Sequence, residues 1–136
     1  MTALAAARNT KERAGDVFDF PIKANTTCYQ GGIAVLDAGY AAPGRAATTL
    51  IAVGRFEETA AAVVAGDATA RVKRGTFKFA NSTAGDLIAQ ADVGADCYIV
   101  DDQTVAKTNG TSTRSRAGKI EAVDADGVWV QIGLGQ

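Results

Sequence analysis

The sequence predicts a mainly β, single-domain fold: a small β-barrel or β-sandwich with an extended N-terminal arm and at most one short helix. Apolar and polar residues alternate at period two through most of the chain, the spacing of a half-buried strand. The runs are short and end at Gly, Asn or Asp, with 15 glycines among 136 residues, so the turns are tight and frequent. No stretch shows the strand–helix–strand spacing of a parallel α/β sheet. A chain of this length buries roughly two thirds of the surface its unfolded form exposes, enough for one core.

Residues 1–15 differ from the rest. Arg8, Lys11, Glu12 and Arg13 stand among small residues with no sustained apolar face, so this segment reads as an arm and residues 16–136 as the β-rich domain. From Asp16 the period becomes two, placing Phe18, Phe20 and Ile22 on one side and Asp19 on the other. Pro21 cannot donate to a central ladder, so this strand lies at a sheet edge or ends there. Two strands follow near residues 26–29 and 32–37, joined at Gly31-Gly32, with a turn from Asp37 to Tyr40 and a stop at Pro43-Gly44. "TTLIAVGRFEET" is a strand of about eight residues with Gly54 as a candidate bulge. "AAAVVAGD" permits a helical turn or a loop. "ATARVKRGTFKFAN" alternates on either side of Gly75, with Phe77 and Phe79 sharing a face that Lys78 avoids. In "STAGDLIAQADVG" the spacing of Leu87, Ile88 and Ala91 predicts one short helical turn, ended by Gly94. "CYIV" is an apolar strand, Asp101-Asp102 a polar turn and "NGTSTRSRAG" a flexible, partly basic loop. The chain closes on "RAGKIEAVDADGVWVQIG", a hairpin pinched at Asp-Gly, whose positive φ values suit such turns. About nine or ten short strands are expected from these boundaries.

The residues offer little for catalysis. Histidine is absent, which removes the commonest general base and metal ligand. The net charge of -1 creates no field toward nucleic acid or anionic lipid. Cys28 and Cys97 lack CxxC spacing and read as buried free thiols, a disulfide between them being the alternative. Asp124, Asp126 and Gly127 resemble the start of a calcium loop, but Val128-Trp129-Val130 follows where further oxygen ligands belong. Asp101-Asp102 and Glu57-Glu58 are adjacent pairs that a strand points to opposite faces, so neither forms a two-carboxylate site. Arg71, Lys73, Arg74 and Lys78 interleave with Phe77 and Phe79 in the manner of a base-stacking surface; alternation buries the phenylalanines, leaving a solvated strand face or a contact for an acidic protein. The glycines form no phosphate-binding fingerprint. No cofactor or metal is expected, and no enzymatic activity.

Val128 and Val130 share the face opposite Trp129, so both faces of the final hairpin need cover, in a core or at a subunit contact. The opening "MTALAAA" fits no secretory signal. No stretch approaches the ~20 apolar residues of a membrane span. Cytoplasmic synthesis is the expectation.

Three stretches together resemble a family of tailed-bacteriophage head proteins, the capsid decoration or cement proteins: "AARNTKERAGDVFDFPI" (6–22), "VKRGTFKFANS" (72–82) and "CYIVDDQTVAKTNGTSTRSRAGKIEAVDADGVWVQIG" (97–133). With the spacing between them the resemblance covers nearly the whole chain, the region from Tyr40 to Thr69 being least distinctive. It implies a β domain bound to the outside of an assembled icosahedral shell in a bacterial host, commonly as trimers near threefold positions. Its partner is then the major capsid protein, with no direct nucleic-acid contact, no membrane and no catalytic residues. On this expectation Arg8, Asn9, Lys11, Arg13 and Phe18 contact the capsid, while Trp129, Val128 and Val130 lie at a subunit contact or in the core. The alternatives are a head-joining or tail component, or a small β-barrel that binds a ligand.

Overall fold

The computed structural model describes residues 2–13 and 15–136, so Met1 and Ala14 of the expected arm lie outside the described residues. Twelve strands are seen among these: β1 (Val17–Pro21), β2 (Thr26–Cys28), β3 (Ile33–Asp37), β4 (Tyr40–Pro43), β5 (Ile51–Phe56), β6 (Ala60–Ala62), β7 (Thr69–Lys73), β8 (Gly75–Phe79), β9 (Asp96–Ile99), β10 (Val105–Ala106), β11 (Arg116–Asp124) and β12 (Gly127–Ile132). They form three antiparallel sheets: sheet I in the order β1-β7-β5-β3-β4, sheet II in the order β10-β9-β11-β12-β8, and sheet III as the pair β2-β6.

Sheet I is the middle layer, and β3 shows why. Its sequence "IAVLD" is apolar at successive positions, as a strand covered on both faces requires. Ile33 and Val35 enter one core with Phe79, Ile99, Ile120, Val128, Val130 and Ile132 of sheet II. Ala34 and Leu36 enter another with Val53, Phe56, Val72, and Cys28 and Ala62 of sheet III. Cys28 and Cys97 therefore lie in different cores, both thiols are free, and the disulfide alternative falls. Burial pushes their pKa values up to about 11 and about 12 respectively.

The architecture is a sandwich, and the barrel alternative is not realised. Ile22, just past β1, reaches Ala41 of β4 by one parallel bridge, while β1 itself pairs only with β7. Pro21 thus sits on an edge strand, as its missing N–H requires. The bulge expected in β5 is present: Ala34 faces Gly54 and Val35 faces Ala52, so Val53 is the extra residue. Gly54 has φ +146, and a side chain there would overlap the Lys73 carbonyl.

Thr26–Cys28 lies against Ala60–Ala62, so β2 belongs to sheet III and β3 to sheet I. Three local expectations need correction. The helical turn around Leu87 and Ile88 is replaced by two 3-10 turns, Ala84–Asp86 and Gln90–Asp92. Between them the Asn81 side chain donates to the Ile88 carbonyl and accepts from the Ile88 amide, both at 2.9 Å, which holds that backbone extended. The hairpin joining β11 and β12 forms, yet none of residues 125–127 has positive φ; Gly127 serves close approach instead, since a Cβ would come 2.8 Å from the Phe79 carbonyl oxygen. The basic loop is pinned: Arg114 pairs with Asp86 at 3.2 Å, and the buried Ser115 hydroxyl donates to the Ala47 carbonyl and accepts from the Leu50 amide.

Candidate functional site

The root of the arm and the C-terminal residues converge where β7 passes into β8. Arg74 is the single residue between these strands and carries the chain from sheet I to sheet II. Its backbone amide donates to the Asp16 carbonyl at 2.9 Å, extending the β1–β7 ladder. Its guanidinium donates to the Leu134 carbonyl at 2.9 Å, lies 3.5 Å from the Asp16 carboxylate and stands over the Phe18 ring at 5.8 Å. Gly133 packs against it so closely that a Cβ would overlap the Arg74 side chain. The root of the arm, the first strand and the C-terminal residues are thus gathered by one arginine.

Of the residues expected at a capsid contact, Phe18 is half-buried and stacks on Phe20, centroids 5.9 Å apart. Arg13 approaches the same ring at 5.8 Å. Arg8, Asn9 and Lys11 are exposed, and residues 2–13 contain no strand or helix. Among the described residues no strand pairs with β1 on its outer side from Val17 to Phe20. The Asp16–Arg74 and Ile22–Ala68 bonds fix the alternation along the β1–β7 ladder. By that alternation the amides and carbonyls of Val17 and Asp19 point away from the sheet.

The second expected contact separates into two faces. Val128 and Val130 are fully buried in the core between sheets I and II, while Trp129 is 37% exposed on the opposite face of sheet II. Within the chain β12 has a packed layer on one side only, so the two valines take the core and Trp129 does not. Trp129 is held in place, its indole N–H donating to Asp124 at 2.7 Å while Lys78 stands over its ring at 5.9 Å. Lys78 also bridges Asp124 and Asp126, and this pairing holds the Asp126 carboxyl below its ordinary range.

A cleft of about 410 Å³ runs along β4 and is lined by Lys23, Asn25, Thr26, Thr27 and Arg45. Lys23 and Arg45 both donate to one Asp37 oxygen, at 2.7 and 2.9 Å, and hold that carboxyl below its usual range. Asp101 caps its own turn by accepting from the Gln103 amide. Among the described residues no three His, Cys, Asp or Glu side chains are placed to hold a metal, and no helix is long and apolar enough to cross a membrane.

The basic cluster read as one patch in sequence is divided in space. Arg71 faces Asp19 at 3.8 Å, Arg74 is committed to the corner and Lys78 to the hairpin. Sequence reasoning missed the roles of Arg74, Asp16 and Gly133; the glycines at 133 and 135 were the only local signal, and a glycine does not announce which side chain will pack on it. No protein-family model, curated protein or solved structure matches this chain.

Proposed function

We propose that this protein is a virion structural protein of the capsid decoration class, which binds the outer surface of an assembled phage shell and stabilises it by bridging capsomers. The observation that carries the reading is the terminal corner, an exposed run of residues 2–13 ahead of a strand whose outward backbone groups at Val17 and Asp19 pair with no other strand among the described residues. The three stretches that carry the family resemblance meet there. Residues 6–22 supply the arm and β1, 72–82 the β7–β8 crossover, and 97–133 end at the glycine packed on Arg74.

A free edge next to an exposed arm suits strand addition, in which backbone hydrogen bonds supply affinity and side chains supply selectivity. Residues from about 4 to 20 then lie over the major capsid protein, adding a strand to one of its sheet edges. Each bound subunit adds interface that must break before the shell opens. Many weak bridges suffice because neighbouring contacts raise one another's effective concentration. The protein would act as a trimer on the shell, with Trp129 available to a neighbouring copy, and would need no catalytic residue or cofactor.

The test is co-sedimentation with mature, undecorated capsids, comparing the full chain with a variant lacking residues 1–15. The full chain should saturate at hundreds of copies per shell and raise its resistance to heat, while the shortened chain stays folded by circular dichroism and remains in the supernatant. Equal occupancy by both forms would sink the role of the arm. Saturation at a dozen copies would favour a head-joining or tail component.

A further inference from the structure

Charge matching is nearly complete across the domain and stops at one place. From Lys23 onward every basic side chain except Lys73 has a carboxylate oxygen within 3.8 Å. Among the described residues Arg8, Lys11, Arg13 and Lys73 have no such partner. Three of these lie on the arm, and Lys73 is the register partner of Val17 on β1. Three of the four unmatched cations thus lie on the arm that precedes β1 and the fourth on β7, the strand beside β1, in a chain whose net charge is -1.

We infer that the corner built from residues 8–13, 15–19 and Lys73 docks an acidic, extended polypeptide edge, the carboxylates meeting Arg8, Lys11, Arg13 and Lys73 while backbone groups pair with Val17 and Asp19. The inference rests on the capsid-binding reading and names the chemistry of the partner surface. Charge alone would also suit a nucleic acid. The free edge decides against it, because outward amides and carbonyls at Val17 and Asp19 complement another peptide backbone and not a phosphate chain. The aromatic ring nearest the cations, Phe18, is half-buried and taken up by Phe20, Arg13 and Arg74, so it offers no open platform on which bases could stack. Arg74 belongs to the corner as a positioning residue: its charge is spent on Asp16 and Leu134, and it sets where the arm leaves the domain.

Exposed charges steer association and are screened within about 8 Å at physiological salt, so such docking is salt-sensitive. The experiment is a capsid co-sedimentation isotherm with the full chain across a sodium chloride series, repeated with K11Q/K73Q and with Val17→Pro. Affinity should fall roughly tenfold between about 50 mM and about 500 mM salt, and K11Q/K73Q should bind several-fold more weakly at low salt with a flatter salt dependence. Val17→Pro removes an outward N–H that no internal bond uses and should weaken binding at every salt concentration. All three proteins should melt alike by circular dichroism; if a variant does not fold, the salt series on the unmodified chain decides alone. Binding that ignores both salt and K11Q/K73Q would overturn the acidic partner while leaving the decoration role intact. Absence of binding at any salt would remove the decoration role and this inference with it. Gel-shift binding of a short DNA duplex as tight as capsid binding would overturn the choice of a protein partner.

Discussion

At the β11–β12 hairpin Lys78 is held between Asp124 and Asp126 and the Trp129 indole N–H is taken by Asp124, whereas at the terminal corner, among the described residues, four cations face no carboxylate and the outward backbone groups of Val17 and Asp19 pair with no other strand. Both regions are exposed and both carry an aromatic residue next to basic ones. They differ in whether their polar groups are already satisfied within the chain. A matched surface gains little by binding, since any partner must first displace internal hydrogen bonds. An unmatched one exchanges only water, so the corner is the better candidate for docking.

The largest expected effect is at the junction of the two regions. Gly133 follows β12 directly and packs on Arg74 with φ +134. Gly133→Ala combines a disfavoured backbone conformation with overpacking against a side chain anchored at both ends, and should cost about 3 kcal/mol in urea denaturation. A loss below about 1 kcal/mol would show that Arg74 moves aside and is no clamp. Within the hairpin the two faces should separate clearly. Val130→Ala removes two fully buried methyl groups from the core and should cost about 2 kcal/mol, while Trp129→Ala should cost about 1 kcal/mol in the monomer. Equal losses would mean that Trp129 is covered, by a second copy of the chain, and analytical ultracentrifugation of the two variants would show it.

The smallest effect is in acid. The folded-state pKa of Asp126 is lowered, chiefly by its hydrogen bond with Lys78, and that of Asp96 by its bonds to Arg116 and Lys119. Stability from a depressed carboxyl is present above the unfolded pKa of about 3.9 and is lost as pH falls through the folded value. Thermal midpoints should therefore decline below about pH 4, and Lys78→Gln should shrink that decline because it removes the partner of Asp126. Lys73→Gln should leave it unchanged. An equal response to both substitutions would erase the distinction between a matched hairpin and an unmatched corner.

Much of this fold is legible along the chain because it depends on local chemistry. Period-two alternation located β1, β7, β8, β11 and β12. Pro21 marked an edge, Asp37 to Tyr40 a hairpin turn with Ala38 and Gly39 at positive φ, and Asp-Ala-Asp-Gly the last turn. The candidate residues of the arm could be named because charged residues without an apolar periodicity have no core to enter. What failed did so for lack of a long-range partner: Leu87 and Ile88 have helical spacing, and only the position of Asn81 in the folded chain explains why that spacing goes unused.

Determined by the sequence itself, then, are the strand-forming segments, their turns, the absence of histidine chemistry and the polar character of the arm, since each follows from the conformational preference or ionisation of residues near one another. Decided only by the tertiary structure are the pairing of β2 with β6, the two separate cores on either side of β3, the exposure of Trp129 and the choice of which cations remain unmatched. Those depend on residues distant in sequence meeting across sheets, and period-two alternation states that a strand has two faces without stating what will cover either.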